Sequence, residues 1–235
     1  MIPEGAEKNL WDKLEVSYFL NNEAKEIAWH TRLLNRYVDT PHPVIKARLS
    51  EGDEGLHVLV YTQDQPKLFA RICAFFEHIN YSIADAKIYT TRDGYALDTF
   101  HVFIPTHEQT RDYRNMKSFI EVELYTALST PCFPHLTHSR RISRHLKHFP
   151  IAPQVIIQAT ERTPFYSLSI ISGDQPGLLA RIAQVLAEHT ISVHSAKIMT
   201  LGSRVEDSFL ITGPGLDDAK NTMKIEQELI EVARL

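Results

Sequence analysis

Two stretches of this 235-residue chain place residues that could do chemistry in the same arrangement: TQDQPKLFARI at 62–72 and SGDQPGLLARI at 172–182. Each sets a carboxylate, Asp64 or Asp174, two residues ahead of a proline and just before a run with helical apolar spacing. The first N–H groups of a helix have no partner within it, and the helix dipole adds positive charge there, so that end receives carboxylates. Proline suits the first helical turn, because its missing N–H would be unpaired anyway. Gly177 has no side chain, so a ligand can approach the main chain closely. Asp174 beside it could hold an ammonium group. Together these suit a free amino acid, which carries both charges at one carbon. The plainer reading is that Asp64 and Asp174 cap helices and the proline fixes the turn.

The turns sit inside a longer repeat. Residues 61–90 align with 171–200 without a gap, and 12 of the 30 positions are identical, including Asp64/Asp174, Gln65/Gln175, Pro66/Pro176, Leu68/Leu178 and Arg71/Arg181. Each copy opens on an apolar β-rich run, LHVLVY (56–61) or FYSLSII (165–171). Helical spacing follows: Leu68, Ile72, Phe75 and Ile79 in the first copy, and Leu178, Ile182 and Val185 in the second. Two alternating runs joined by a tight turn come next. Asp93-Gly94 predicts a type I′ turn and Gly202-Ser203 a type II′ one. Tyr81 and Ile83 have one parity and Ala86 and Ile88 the other, as do Ile191 and Val193 against Ala196 and Ile198, which predicts a bulge near Ala84–Asp85 and His194–Ser195. Asp98-Thr99-Phe100 and Asp207-Ser208-Phe209 mark the third strand. Second helices are expected over about 110–129 and from about Leu216 onward. The run PQVIIQA (153–159) is a further strand that could serve either copy. The unit reads β-α-β-β-α-β, an α+β sandwich with helices on one face of an antiparallel sheet. The second copy lacks a last strand after its second helix, which leaves a bare edge unless another segment pairs with it.

The remaining features exclude more than they assign. Lysines and arginines number 25 against 29 acidic residues, a net charge of −4 at pH 7, so there is no basic field calling for nucleic acid. No apolar run approaches the roughly 20 residues of a membrane span. Trp11, Asp12, Lys13 and Glu15 stand where a signal peptide's apolar centre would lie. Two cysteines, Cys73 and Cys132, are too few for a disulfide framework, and Cys73 reads as a core thiol. A cytoplasmic protein is the simplest expectation. Between the repeats, HLTHSRRISRHLKH (135–148) spaces His135/His138 and His145/His148 three apart, but without cysteine or carboxylate partners. It reads as a solvated basic loop, with a metal site or an anion-docking strip as the sharper alternatives. A helix is expected from about Glu23 to Tyr37, capped by Asn22, with Trp29, Leu33 and Tyr37 as a packing stripe. Asp98 and Asp207 recur near Lys87 and Lys197 and read as cross-strand charge pairs. No nucleophile triad, phosphate-binding glycine loop or dinucleotide fingerprint is present, so no catalytic residue and no metal ligand is assigned.

The DQPGLL turn and its surroundings resemble the ACT domain, a small-molecule-sensing module, in both copies. The flanking segments YFLNNEAKEIAWHTRLL (18–34) and RRISRHLKHFPIAPQV (140–155) extend the likeness. The chain is similar to the C-terminal region of bacterial PII uridylyltransferase/uridylyl-removing enzymes. The resemblance implies two ferredoxin-like βαββαβ domains after an N-terminal helical segment. The expected boundaries are 1–50 for the helical segment, 51–160 for the first ACT domain including 135–148, and 161–235 for the second. It also implies a regulatory region that senses L-glutamine, signals to its own catalytic domains, and so acts on the PII signal protein. The nucleotidyltransferase and HD hydrolase motifs of that family are absent from this sequence, so no activity is expected of the chain itself. UTP and a divalent metal would belong to the parent enzyme, and no cofactor to this region. The ligand role carries onto Asp174, Gln175, Pro176, Gly177 and Leu178, with His194 as a further candidate. It carries more weakly onto Asp64, Gln65, Pro66 and Lys67, because Lys67 replaces the glycine. The alternatives are a stand-alone tandem-ACT regulator of another amino acid and a structural module pairing ACT sheets into a homodimer.

Overall fold

The computed structural model describes residues 7–50, 55–103, 113–130, 151–161, 164–201 and 203–234. The basic stretch 135–148, Cys132 and the glycine of the Gly202-Ser203 turn lie outside the described residues. Three short helices come first: α1 (Lys8–Trp11), α2 (Val16–Asn21) and α3 (Ala24–Leu34). The first repeat unit then runs β1 (Val44–Leu49), β2 (Gly55–Gln63), α4 (Leu68–His78), β3 (Ser82–Lys87), β4 (Tyr95–Phe103) and α5 (Tyr113–Ser129). The second runs β5 (Gln154–Ala159), β6 (Tyr166–Gly173), α6 (Leu178–Glu188), β7 (Ser192–Lys197), β8 (Thr200–Leu201), β9 (Arg204–Thr212) and α7 (Ala219–Val232). The strands form one antiparallel sheet in the order β1-β2-β4-β3-β7-β9-β6-β5, with β8 paired to β9.

Each unit has the ferredoxin-like layout, but its edge strand precedes the unit instead of following it. β1 pairs with β2, and β5 with β6, both antiparallel. The run 154–159, grouped with the first unit on sequence, therefore completes the second, and a strand occupies 44–49 within the segment expected to be helical. The same device covers both edges. A glutamate on the second helix accepts an edge-strand N–H: Glu121 Oε1 from Ala47 at 2.9 Å, and Glu226 Oε1 from Ile157 at 2.7 Å. Occupied edge groups no longer template another chain.

Both bulges fall where the parity switch puts them, between Ile83 and Asp85 and between Val193 and Ser195. The 91–94 turn differs from its prediction. Gly94 alone has positive φ (82°), and its N–H bonds to the Thr91 carbonyl, which makes a type I turn followed by a left-handed residue. The Thr91 side chain fixes this turn by accepting from the Tyr95 N–H at 2.9 Å.

The units join at β3 and β7, where Asp85 faces Lys197, Ala86 faces Ala196 and Lys87 faces Ser195. The two alanines are equivalent in the repeat, so a pseudo-two-fold axis passes between them. The bulge carbonyls extend the seam: Ile88 N–H donates to His194 O and Ile198 N–H to Ala84 O, each at 2.9 Å. On the helical face α4 packs against α6 across the seam. One continuous core results, with Phe76, Phe100, Ile120 and Ile182 fully buried.

The N-terminal helices cover the opposite face of the first unit only. Leu59, Tyr61, Tyr95 and Leu97 form a second core there with Leu10, Tyr18 and Leu34. The equivalent positions in the second unit are Ser169, Ile171, Arg204 and Glu206, three of them polar, and none joins a core cluster. The cap of α3 is Glu23, in a reciprocal capping box with Glu26, and not Asn22, whose side chain bonds back to the Tyr18 carbonyl. Of the stripe Trp29, Leu33 and Tyr37, the first two are half-buried against this second core, Trp29 with the Arg48 guanidinium 4.2 Å from its ring centre, while Tyr37 is exposed. Glu26, His30 and Leu34 form the buried face beside them. Glu26 pairs with Lys87 at 2.6 Å, and His30 lies between Tyr18 OH (2.7 Å) and Thr99 Oγ1 (3.2 Å).

Burial pushes His30 down to about 4. A histidine kept neutral in the fold contributes stability above its unfolded pKa of about 6.5, and that stability is lost as pH falls from there toward 4. Between pH 7.5 and pH 5 the protein should lose about 2 kcal/mol through His30. Urea titration at both pH values measures this, and His30→Gln should shrink the difference by that amount, leaving the part due to His57, which burial also pushes down to about 4; an unchanged difference would assign the whole loss to other groups.

Candidate functional site

Each Asp-Gln-Pro turn carries the chain from a central strand into a helix, β2 into α4 and β6 into α6. The residue at the helix start is left-handed in both, Lys67 at φ 66° and Gly177 at φ 70°. Glycine takes this conformation freely, while for lysine it costs roughly 1–2 kcal/mol. Gly177 therefore answers a backbone demand. Neither aspartate caps its helix: Lys67 and Gly177 hold the N-cap positions, and neither helix start has a side-chain cap.

The glutamines are clamps. Gln175 Nε2 donates to the Ala233 carbonyl at 2.7 Å, and its Oε1 accepts from Arg181 Nη2 at 3.0 Å. Arg181 also donates to the carbonyls of Pro176 (2.8 Å) and Val232 (3.3 Å). Arg71 does the same in the first unit, donating to Gln65 Oε1 (3.2 Å) and to the carbonyls of Ala127 and Thr130 (2.9 Å each). Arginine thus ties each turn to the carbonyl end of the unit's second helix, where a cation is favoured. The Gln175 side chain, expected to meet a ligand, is committed to this clamp.

Two clefts open at the seam, related by the pseudo-two-fold axis. The first, about 530 Å³, has Asp64, Gln65, Pro66, Lys67 and Asp98 on one wall and Ala187, Thr190 and Ser192 of the other unit opposite. The second, about 320 Å³, sets Asp174, Gln175, Pro176, Leu178 and Asp207 against Glu77, Tyr81 and Ser82 of the first unit. Gly177 and His194 are not among the lining residues. The His194 ring packs edge-on to Phe165, and its Nε2 lies 2.8 Å from Thr212 Oγ1. Within α4 the first helical bond is donated by Arg71, and within α6 by Arg181; Leu68 and Leu178 donate back to Gln65 and Gln175. The N–H groups of Phe69 and Ala70, and of Leu179 and Ala180, thus have no acceptor inside their helices, and all four residues line the clefts. A broader hollow of about 620 Å³ near Lys13, Arg36 and Asp39 is shallow, and none of its polar residues is buried.

Asp98 and Asp207 depart furthest from the sequence reading. Lys87 stands opposite Thr99 and Lys197 opposite Ser208, so strand alternation turns both aspartates to the other face of the sheet. Lys87 goes to Glu26 instead. Asp98 and Asp207 are 1% and 2% exposed, and Oδ1 of each has no hydrogen-bond partner. A main-chain N–H, from Tyr89 or Met199, is the compensation each carboxyl receives. Burial, and then the charge of Asp64, holds Asp98 well above the carboxylate range; burial, and then Asp174, pushes Asp207 up to about 7.

An acid raised in the fold penalises the folded state progressively as pH climbs from the unfolded pKa of about 3.9 toward the folded one of about 7. Asp207→Asn removes that penalty. The variant should be more stable than the parent by roughly 2–4 kcal/mol at pH 8 and nearly equal to it at pH 4. Denaturant titration at the two pH values checks this; equal stability at pH 8 would place the ionised carboxylate in a better-solvated setting.

Comparison with known proteins agrees with this architecture. Residues 1–33 match the family described as the uridylyltransferase GlnD fifth domain, and residues 166–231 match the ACT domain. The chain is 56% identical over 234 residues to the bifunctional uridylyltransferase/uridylyl-removing enzyme of Chromobacterium violaceum, covering 100% of this chain and 27% of that protein. The enzymes of the same description from Nitrosospira multiformis and Cupriavidus metallidurans are 47% and 49% identical, over 97% and 95% of this chain and 26% of each relative. The chain spans about a quarter of the length of these relatives. The helical segment, the internal repeat and the ACT match identify the chain as the tandem-ACT region of the bifunctional uridylyltransferase/uridylyl-removing enzymes.

Proposed function

We propose that this region senses a free amino acid, L-glutamine, and thereby biases the two opposed activities of a parent enzyme acting on the PII signal protein. The observation that carries the reading is the composite build of the clefts: each draws one wall from each ACT unit. A ligand that touches both walls binds best when the units are correctly placed against each other, so occupancy and arrangement are linked. Helix N–H groups and carboxylates close together on one wall of each cleft suit the two charges of an α-amino acid. The seam reaches the helical segment through Lys87, which lies on β3 and pairs with Glu26 of α3. UTP, a divalent metal and the uridylyl chemistry belong in this reading to other parts of the parent protein. Sheet pairing into a homodimer is less well supported, because β3 and β7 already pair with each other and Glu121 and Glu226 occupy groups on the outer edges.

The clefts are expected to differ, with the second the tighter. Gly177 is unstrained where Lys67 is not, and Lys67 also lines the first cleft. Calorimetric titration with L-glutamine should show saturable heat that glutamate and glycine do not reproduce. Asp174→Ala should weaken the stronger site by about tenfold or more. Two sites of equal affinity, or loss of all binding in Asp64→Ala but not in Asp174→Ala, would overturn the assignment of the second cleft. No heat with glutamine would overturn the choice of ligand.

A further inference from the structure

We infer that Asp98 and Asp207, and not the turn aspartates, are the principal ammonium-binding groups of the two clefts, and that the ligand's side chain is read by the opposite unit. The inference rests on the amino-acid reading above and assigns roles within the same clefts. Its starting point is an energetic debt that appears twice. A carboxylate oxygen without a partner, in a buried position, costs several kcal/mol unless an ion or hydrogen-bond donor meets it. The fold offers none to Oδ1 of Asp98 or of Asp207. Both occupy the same place on the unit's central strand, Asp98 opposite Val60 and Asp207 opposite Ile170, and both line a cleft. The main-chain N–H of Tyr89 or Met199 meets each carboxyl once, and in both copies Oδ1 is the oxygen left over.

The surroundings select the class of cation. In the first cleft the ionisable groups around Asp98 are Asp64 and Lys67, with the Cys73 thiol also near Asp98. Around Asp207 they are Asp174, Glu77, Tyr81 and Cys73. Among the described residues no group of three or more acids, histidines or cysteines could hold a metal ion, and the hard divalent ions ask for about six oxygens. A primary ammonium asks for three acceptors. The buried aspartate at the floor and the exposed turn aspartate at the mouth supply two kinds of them. With the ammonium at the strand, the α-carboxylate lies toward the N–H groups of Phe69 and Ala70, or of Leu179 and Ala180. The side chain then points across the seam, to Thr190 and Ser192 in the first cleft and to Glu77, Tyr81 and Ser82 in the second. Specificity is thereby separated from the Asp-Gln-Pro turn that is shared by both copies.

The test titrates the full chain with L-glutamine and with 4-carbamoylbutanoate, which is glutamine without its amino group. Asp98→Asn, Asp207→Asn and the double variant are compared with the parent, and each variant's fold is checked by circular dichroism. In parallel, methylammonium is titrated while the carbon-13 signal of the Asp207 carboxyl is followed. The parent should bind glutamine and discriminate against the deaminated analogue. Each single variant should weaken its own site about tenfold to hundredfold, and the double variant should lose most of the discrimination. Glutamine binding with full discrimination in the double variant would overturn the inference and leave the amino-acid reading standing. If glutamine fails to bind the parent while methylammonium shifts the Asp207 signal, the ammonium site stands and the glutamine reading falls. If neither ligand has an effect, both fall.

Discussion

The pairing of β3 with β7 is the constraint from which the other features follow. Ala86 and Ala196 meet at its centre, and both are buried small residues. They leave room for α4 and α6 to pack directly over the seam. The bulge in each strand turns a carbonyl, that of Ala84 or His194, toward the other unit, where it accepts an extra N–H. The seam is therefore longer than its three-residue ladder. Because each helix start lies over the far unit's helix end, a turn that would open onto solvent in a lone unit opens onto a second wall. The clefts are consequences of the pairing, and neither unit possesses one alone.

How much of this was readable depends on distance along the chain. The helices after each turn, both bulges and the third strands follow from local periodicity, which is fixed within a few residues. The edge strands are a different case. Val44–Leu49 carries Lys46 and Arg48, suits an edge, and lacks the apolar signal of a central strand. The pairing of Gln154–Ala159 with the second unit is set by a partner the run itself does not encode. The turn residues do sit together beside the clefts, yet their division of labour does not follow from the sequence. Gln175 and Arg181 serve the α7 carbonyl end more than 50 residues away. Asp98 and Asp207 were visible as a repeated acid, but the parity that turns them away from Lys87 and Lys197 follows only once register is known. The walls contributed across the seam had no signature in sequence.

Near-symmetry makes the remaining differences informative. The repeat preserves both aspartates of each cleft and both clamp arginines, so the shared chemistry is conserved between copies of one chain. What changes lies at the rim. Lys67 stands for Gly177, and Glu77 faces the second cleft where Ala187 faces the first. Thr190, a β-branched residue at φ 59°, replaces Asn80 at φ 61° at the equivalent helix end. Asparagine tolerates that conformation better than threonine does, so the first cleft carries strain on both of its walls. The turns also differ in setting: residues 63–67 are exposed, whereas Gln175 and Gly177 are buried. The duplicated module thus keeps its two cleft floors alike while its rims diverge.

The covered face of the first unit gives the seam an outlet. Thr99 and Lys87 are neighbours across β4 and β3, and both point toward α3. The first meets His30 and the second meets Glu26, one helical turn apart on the same buried stripe. Lys87 itself belongs to the seam ladder. A shift of β3 relative to β7 therefore cannot leave α3 where it was without straining a partly buried ion pair. Among the described residues the second unit has no such attachment, since the equivalent face is largely polar and uncovered by the N-terminal helices. Any shift at the near-symmetric seam would thus be carried to the N-terminal helices on one side only.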